Sequence, residues 1–290
     1  MKRLDFLKKT IISGVAAMAA PLALKSNTKT VSTYDKLSEQ VGFNHIPNNE
    51  IRTERTVLHK ANTRGSANHG WLKVNHTFSF ANYHNPNRMN FGVLRVLNDD
   101  IIAGGRGFNT HPHDNMEIIT IPIEGDLEHK DSMGNGTVIK NGDIQVMSAG
   151  TGIKHSEFNA NEELPVKVLQ IWLFPNKRNV EPRYDQLSLK SISKQNIFNQ
   201  ILSPSSMDQG VWIHQNAWFS LGEFTQDMDI NYTLNSDTNG VYAFIIEGDA
   251  VIQKQKLEKR DGFGIWNSKE INISAKKNSK ILLMEVPMRT

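Results

Sequence analysis

The chain has 290 residues, 38% apolar and 22% charged, which is enough for two compact domains with buried cores. It contains no cysteine, so disulfides, iron–sulfur clusters and thiol nucleophiles are excluded, and any bound metal is held by nitrogen and oxygen. The formal charge of +3 equals that of residues 1–19 (Lys2, Arg3, Lys8 and Lys9 against Asp5), so the remainder is neutral. No basic stripe with interleaved aromatics marks a nucleic-acid surface.

The chain opens with the features of an export signal. A basic start is followed by an apolar, small-residue run from Ile11 to Leu24, with Ala17-Met18-Ala19 fitting a cleavage site. Residues 1–24 are therefore expected to be a signal peptide, and the protein to be exported, to the periplasm. The segment Lys2 to Lys8 resembles the twin-arginine motif except that Leu4 stands where the second arginine belongs, so the route stays open. The apolar run is short of the about 20 residues that span a bilayer, so no membrane span is expected after cleavage. Residues 25–50 are polar and read as a linker.

From Arg52 onward, short apolar strands alternate with Gly, Asn, Asp and Pro turns. The expected strands are Val74–Phe80, Phe91–Leu97, Glu117–Ile123, Thr137–Ile139, Asp143–Met147 and Val166–Phe174. Turn signals recur about every ten residues, the pattern of a β-sandwich or barrel. Pro175 to Pro182 breaks the series and reads as a crossing linker. A second series follows, over Val211–Gln215, Ala217–Leu221, Gly240–Ile246, Ala250–Gln253, Phe263–Trp266, Ile271–Ser274 and Ile281–Val286. The halves share punctuation, since Ile123-Glu124-Gly125-Asp126 is echoed by Ile246-Glu247-Gly248-Asp249. A duplicated barrel whose second copy has lost its histidines accounts for the echo.

Two blocks carry the chemistry. One holds His111 and His113, the other His155 and Glu157, each a pair of metal-ligating side chains two residues apart. In a strand, i and i+2 face the same side, so two such pairs on facing strands can aim three imidazoles and a carboxylate at one point. That set suits Fe, Mn, Co, Ni, Cu or Zn and leaves positions open for small molecules. Of ten histidines only His214 lies beyond residue 155, so a three-histidine site can belong only to the N-terminal half. Phe78, Phe80, Phe91, Trp172 and Phe174 are read as core rather than pocket.

Gly105, His111, His113 and Glu117 fit the cupin pattern G-x5-H-x-H-x3-E, and Gly152, His155 and Asn159 fit G-x2-H-x3-N. Seven residues separate Glu117 from Gly125, and Ser148 replaces a usual proline. With Leu127 to Asn135 and Met147 to Asn159, these segments resemble the pirin family, in particular its bacterial members described as quercetin 2,3-dioxygenases. The resemblance implies an all-β bicupin of two antiparallel β-barrels, a metal-binding one over 51–176 and a second over 177–290 without metal ligands. It implies ligands at His111, His113, His155 and Glu157, where the general cupin pattern would nominate Glu117. It further implies a divalent metal, Fe(II) first with Ni, Co, Mn, Cu or Zn as alternatives. The implied reaction is O2-dependent cleavage of quercetin or a related flavonol with release of CO, Glu157 acting as base. The competing readings are a non-enzymatic, metal-binding envelope stress protein and a cupin oxygenase or isomerase with another substrate. A monomer is expected, with a small phenolic substrate and no nucleic-acid partner. His129 and Asp131 are placed on a neighbouring turn without a firm role.

Overall fold

A computed structural model describes residues 53–289. The expected leader and linker lie outside the described residues. The first twelve strands are β1 (Arg55–His59), β2 (Gly65–Asn68), β3 (Leu72–His76), β4 (Leu94–Ile102), β5 (Gly107–His113), β6 (Glu117–Glu124), β7 (Leu127–Asp131), β8 (Gly136–Ile139), β9 (Asp143–Ser148), β10 (Ile153–Asn159), β11 (Val166–Leu173) and β12 (Arg183–Ser188). Ten more follow: β13 (Phe198–Ser203), β14 (Val211–Trp212), β15 (Trp218–Phe224), β16 (Met228–Thr233), β17 (Asn239–Glu247), β18 (Ala250–Ile252), β19 (Gln255–Leu257), β20 (Gly262–Trp266), β21 (Glu270–Ala275) and β22 (Ser279–Pro287). Among the described residues there is no α-helix, and no helix is long and apolar enough to cross a membrane.

The strands form two barrels of the same design, each a seven-stranded sheet facing a four-stranded one. The first pairs β12-β9-β6-β11-β4-β3-β2 with β5-β10-β7-β8, and the second pairs β1-β20-β17-β22-β15-β13-β14 with β16-β21-β18-β19. The two Glu-Gly-Asp turns hold equivalent places, after β6 and after β17, where both glycines take a positive φ. The fold is a bicupin.

Two strands cross the expected division at 176/177. β12, beyond it, pairs along its whole length with β9 of the first barrel, from Arg183 opposite Ser148 to Ser188 opposite Asp143. β1, before it, pairs with β20 of the second barrel, from Arg55 opposite Trp266 to His59 opposite Gly262. The leading strand of each half thus closes the sheet of the other. Neither strand shows apolar alternation, and its partner is set by contacts distant in sequence.

The seven-stranded sheets pack against each other, which explains why the faces their central strands turn toward one another are apolar. On β11, Leu169, Ile171 and Leu173 join Leu97, Ile119 and Val146 in a core completed by Phe219, Phe244, Leu282 and Met284 of the second half. The expected strands here are shifted: Val74–Phe80 is a strand only to His76, and Phe91–Leu97 becomes Leu94–Ile102. Phe78 and Phe91 belong to this core, as expected.

One charged cluster lies in the apolar seam. Asp99 Oδ2 sits 3.3 Å from Arg64 Nη1 and 3.5 Å from Arg260 Nε, and Arg260 reaches Glu247 at 3.8 Å. Asp99 balances two nearly buried guanidiniums from opposite ends of the chain. Removing it takes the carboxylate from Arg64 and leaves Arg260 with Glu247 alone, so Asp99→Ala is expected to destabilise the protein by about 3 kcal/mol, read by urea unfolding. An unchanged midpoint would show that the guanidiniums find water instead.

Candidate metal centre

The site is built around β10, which lies between β5 and β7. Its burial alternates, so His155 and Glu157 point into the barrel while Lys154 is exposed. His155 stands opposite His111 of β5 and Asp131 of β7, and Glu157 stands opposite Phe108 of β5 and His129 of β7. Opposed residues share a face, so the same register that seats the two β10 groups also turns His129 and Asp131 inward. Between His155 and Glu157 the β5 pairing slips, three steps on β5 matching two on β10. That bulge places Asn109 beside the site.

The structure gathers three of the four expected residues, His111, His113 and His155, at one place. Ring centroids are 4.4 Å apart for His111 and His155, and 4.9 Å for both His111–His113 and His113–His155. Ligand atoms of these three histidines lie within 4.8 Å of one another. Glu157 falls into a second group, with His155 and His129, on the same distance criterion.

Several of these polar atoms have no partner, a costly state for a buried group. They are His113 Nε2, His129 Nδ1 and both ring nitrogens of His155. His111 Nδ1 lies 2.8 Å from the Asn109 carbonyl oxygen, which can only accept. Nδ1 therefore carries the hydrogen, and Nε2 keeps its lone pair. A divalent cation fits this donor set, since converging imidazole lone pairs are acceptors that cannot hydrogen-bond one another and a cation can take one from each ring.

Burial also prepares the protonation states. It lowers His155 to about 2, aided by the charges of His111, His113 and His129. It lowers His113 to about 4, aided by His111. Both are neutral imidazoles at pH 7, ready to donate. Glu157 is pushed upward by burial, opposed by the charge of His129 and by hydrogen bonds. Its Oε1 accepts from Gln170 Nε2 at 2.6 Å and from Thr120 Oγ1 at 3.3 Å.

Gln170 and Thr120 belong to a polar row running across the inner face of the seven-stranded sheet. Register aligns His76, Asn98, Gln170, Thr120, Gln145 and Gln186 strand by strand. In the second barrel the equivalent register carries Ser220, Leu283, Ala243 and Phe263 for Asn98, Gln170, Thr120 and Gln145. At the positions of His111, His155, Glu157 and His129 stand Tyr232, Ile271, Ile273 and Ile252. That interior is a packed apolar core, with no histidine or carboxylate at these positions.

Other residues are sorted as follows. Glu117 is buried, accepts from Ser148 Oγ at 2.6 Å and is raised to about 7 by burial; it lies outside both ligand groups and is not solvated. The residue replacing the usual proline is thus the partner of the general cupin carboxylate. Trp172, read as core, packs against the cluster of Ile118, Met147, Ala149 and Ile153, and it also meets His113 edge-on at 4.9 Å and Phe80 at 5.2 Å, with its Nε1–H unpartnered. His129 is wholly buried, and its ring lies 4.9 Å from Tyr184 of β12. Leu127-Glu128-His129-Lys130-Asp131 alternates apolar, charged, histidine, charged, acidic, a period-two signal that could have put His129 and Asp131 on one inward face.

Residues 57–173 match the Pirin family, and residues 200–286 match a quercetinase C-terminal cupin domain. The chain is 41% identical over 230 residues to the quercetin 2,3-dioxygenase of Escherichia coli, across 79% of this chain and 98% of that protein. It is 37% identical over 222 residues to a pirin-like protein of Caulobacter vibrioides, across 76% of this chain and 95% of that one. Among solved structures, the bacterial pirin YhhW of Escherichia coli in complex with nickel(II) aligns with a TM-score of 0.76 at 40% identity, over 80% of this chain and 99% of that one.

The lowered histidines make a pH prediction for metal-free protein. Unfolded histidine protonates near 6.5, whereas His113 and His155 stay neutral in the fold down to about 4 and about 2. The unfolded chain therefore binds more protons in that window, and stability falls as pH drops below 6.5. Each group contributes at most about 1.4 kcal/mol per pH unit. The drop in unfolding midpoint between pH 6.5 and 4.5 is expected to be shallower in His113→Phe; an equal slope would mean that His113 is solvated in the metal-free fold.

Proposed function

The chain belongs to the pirin family, and from that membership and the buried histidine cluster we propose that it is a metal-dependent dioxygenase of quercetin or a related flavonol. The observation that carries this reading is the set of unpartnered imidazole nitrogens facing one another inside the first barrel. His111, His113 and His155 hold the metal, with Glu157 as the carboxylate ligand. The metal is Fe(II), and the nitrogen and oxygen donors also suit the nickel found with the relative.

A bound divalent cation supplies a Lewis acid for a substrate oxygen and for O2. The remaining work falls to the protein. Glu157 accepts the proton of the flavonol 3-hydroxyl at a carboxylate oxygen, while Gln170 and Thr120 hold Oε1 in place. Burial raises the basicity of that carboxylate, which favours proton transfer. Trp172 offers an unpartnered donor beside His113 and, with Phe80, an aromatic wall for a flat phenol. Ring opening takes up both atoms of O2 and releases one ring carbon as CO, leaving a depside ester. Strands rather than loops carry these groups, so their spacing is held without substrate.

Export forms part of the reading. The leader supports a periplasmic enzyme, and N-terminal sequencing of protein from the periplasm tests it.

The decisive experiment is flavonol turnover with headspace CO detection, in protein reconstituted with Fe(II) or with Ni(II). CO is expected to track flavonol loss and to disappear in His155→Ala. A metal-replete protein that makes no CO overturns the reading and favours another cupin reaction or metal binding without catalysis. Glu157→Gln is expected to keep some metal and to lower kcat by about 100- to 10,000-fold. Unchanged turnover in that variant would remove Glu157 from the base role.

A further inference from the structure

His129 has the surroundings of a metal ligand. Its Nε2 lies 3.3 Å from Asp131 Oδ2, and a carboxylate only accepts, so Nε2 carries the hydrogen. That leaves the lone pair on Nδ1, which is buried and has no partner. A histidine donating one ring N–H to a carboxylate while the other nitrogen faces a cluster of donors is the usual arrangement around bound metals.

Asp131 is itself anchored. It accepts from Met133 N at 2.9 Å, from Asn135 N at 3.1 Å and from Asn135 Nδ2 at 2.8 Å. The hairpin turn between β7 and β8 thereby fixes the carboxylate, and the carboxylate fixes the ring. On its other side His129 stacks toward Tyr184 at 4.9 Å, so the imidazole has little freedom to turn away.

A ligand atom of His129 lies within 4.8 Å of one from His155 and one from Glu157, deeper in the barrel than the half-exposed His111 and His113. His155 belongs to both groups, and neither of its nitrogens has a protein partner. We propose that the first barrel contains a second, inner position for a divalent transition metal, formed by His129, His155 and Glu157 and sharing His155 and Glu157 with the outer position. The inference rests on the reading that this barrel holds a divalent metal. It adds that the ion can move inward, exchanging the half-exposed imidazoles of His111 and His113 for the buried imidazole of His129, without leaving the protein.

The test uses the full chain and Ni(II) alone, with bound metal measured by calorimetric titration and by metal analysis after gel filtration. In the His111→Ala/His113→Ala double variant the inner donors are intact. That variant is expected to keep one equivalent of Ni(II), bound on the order of 10- to 100-fold more weakly than in the parent. Adding His129→Leu to the pair is expected to abolish binding. Asp131 keeps its three other donors in that variant, and circular dichroism verifies the fold. In the otherwise unaltered chain, His129→Leu is expected to change the visible spectrum of bound Co(II). A folded double variant that binds no Ni(II), while the parent binds one equivalent, overturns the inner position alone. Binding in the double variant that survives His129→Leu overturns it too. A parent chain that takes up no metal overturns this inference together with the proposed function.

Discussion

The register of β10 between β5 and β7 is the constraint on which the site depends. A strand has a period of two, so a slip of one residue would turn His155 and Glu157 outward and bring Lys154 and Ser156 into the barrel. The register is pinned at both ends of the inward row, by buried apolar Ile153 at one end and at the other by Asn159, whose Nδ2 donates to the carbonyls of Ile102 and Leu164. Once β10 is seated, its neighbours follow. His111 must face His155, and His129 must face Glu157.

The two barrels show how one topology supports opposite interiors. The equivalent of β10 is β21, where Ile271 and Ile273 occupy the places of His155 and Glu157. Buried histidines and carboxyls cost stability unless they are paired or ligated, and the first barrel carries many of them, including Asp100, whose Oδ1 has no partner and which burial holds well above the carboxylate range. The second barrel fills the same volume with aliphatic and aromatic side chains. Its packing against the first, through Phe219, Phe244, Leu282 and Met284, gives the polar barrel a rigid backing sheet. The exchange of β1 and β12 ties the halves further, since neither sheet is complete without a strand from across the division.

A gradient of polarity runs through the first barrel. Leu72, Val74, Ile102, Leu127, Ile139, Val166 and Val168 close one end with an apolar plug. Above it comes the row of Asn98, Gln170, Thr120 and Gln145, and then the histidines with Trp172. Glu157 lies where the row meets the histidines, so its carboxylate answers to both. Hydrogen bonds from Gln170 and Thr120 favour its charged form, and burial opposes it. Such a balance is what a proton acceptor beside a cation requires.

Much of this was legible in the chain itself. The absence of cysteine confined metal ligation to nitrogen and oxygen, and the count of histidines confined a three-histidine site to the first half. Period-two spacing placed His111 with His113 and His155 with Glu157, because alternation is a local property of any strand. The repeated Glu-Gly-Asp turns announced the duplication for the same reason, a tight turn being encoded in a few consecutive residues. What only the tertiary structure decided involves partners far apart in sequence. The exchange of β1 and β12 depends on pairings with β20 and β9 that no local pattern specifies. The burial of His129 and Asp131 depends on β7 lying against β10, and the role of Trp172 depends on which ring happens to face it. Alternation tells which residues share a face; only the packed barrel determines what that face meets.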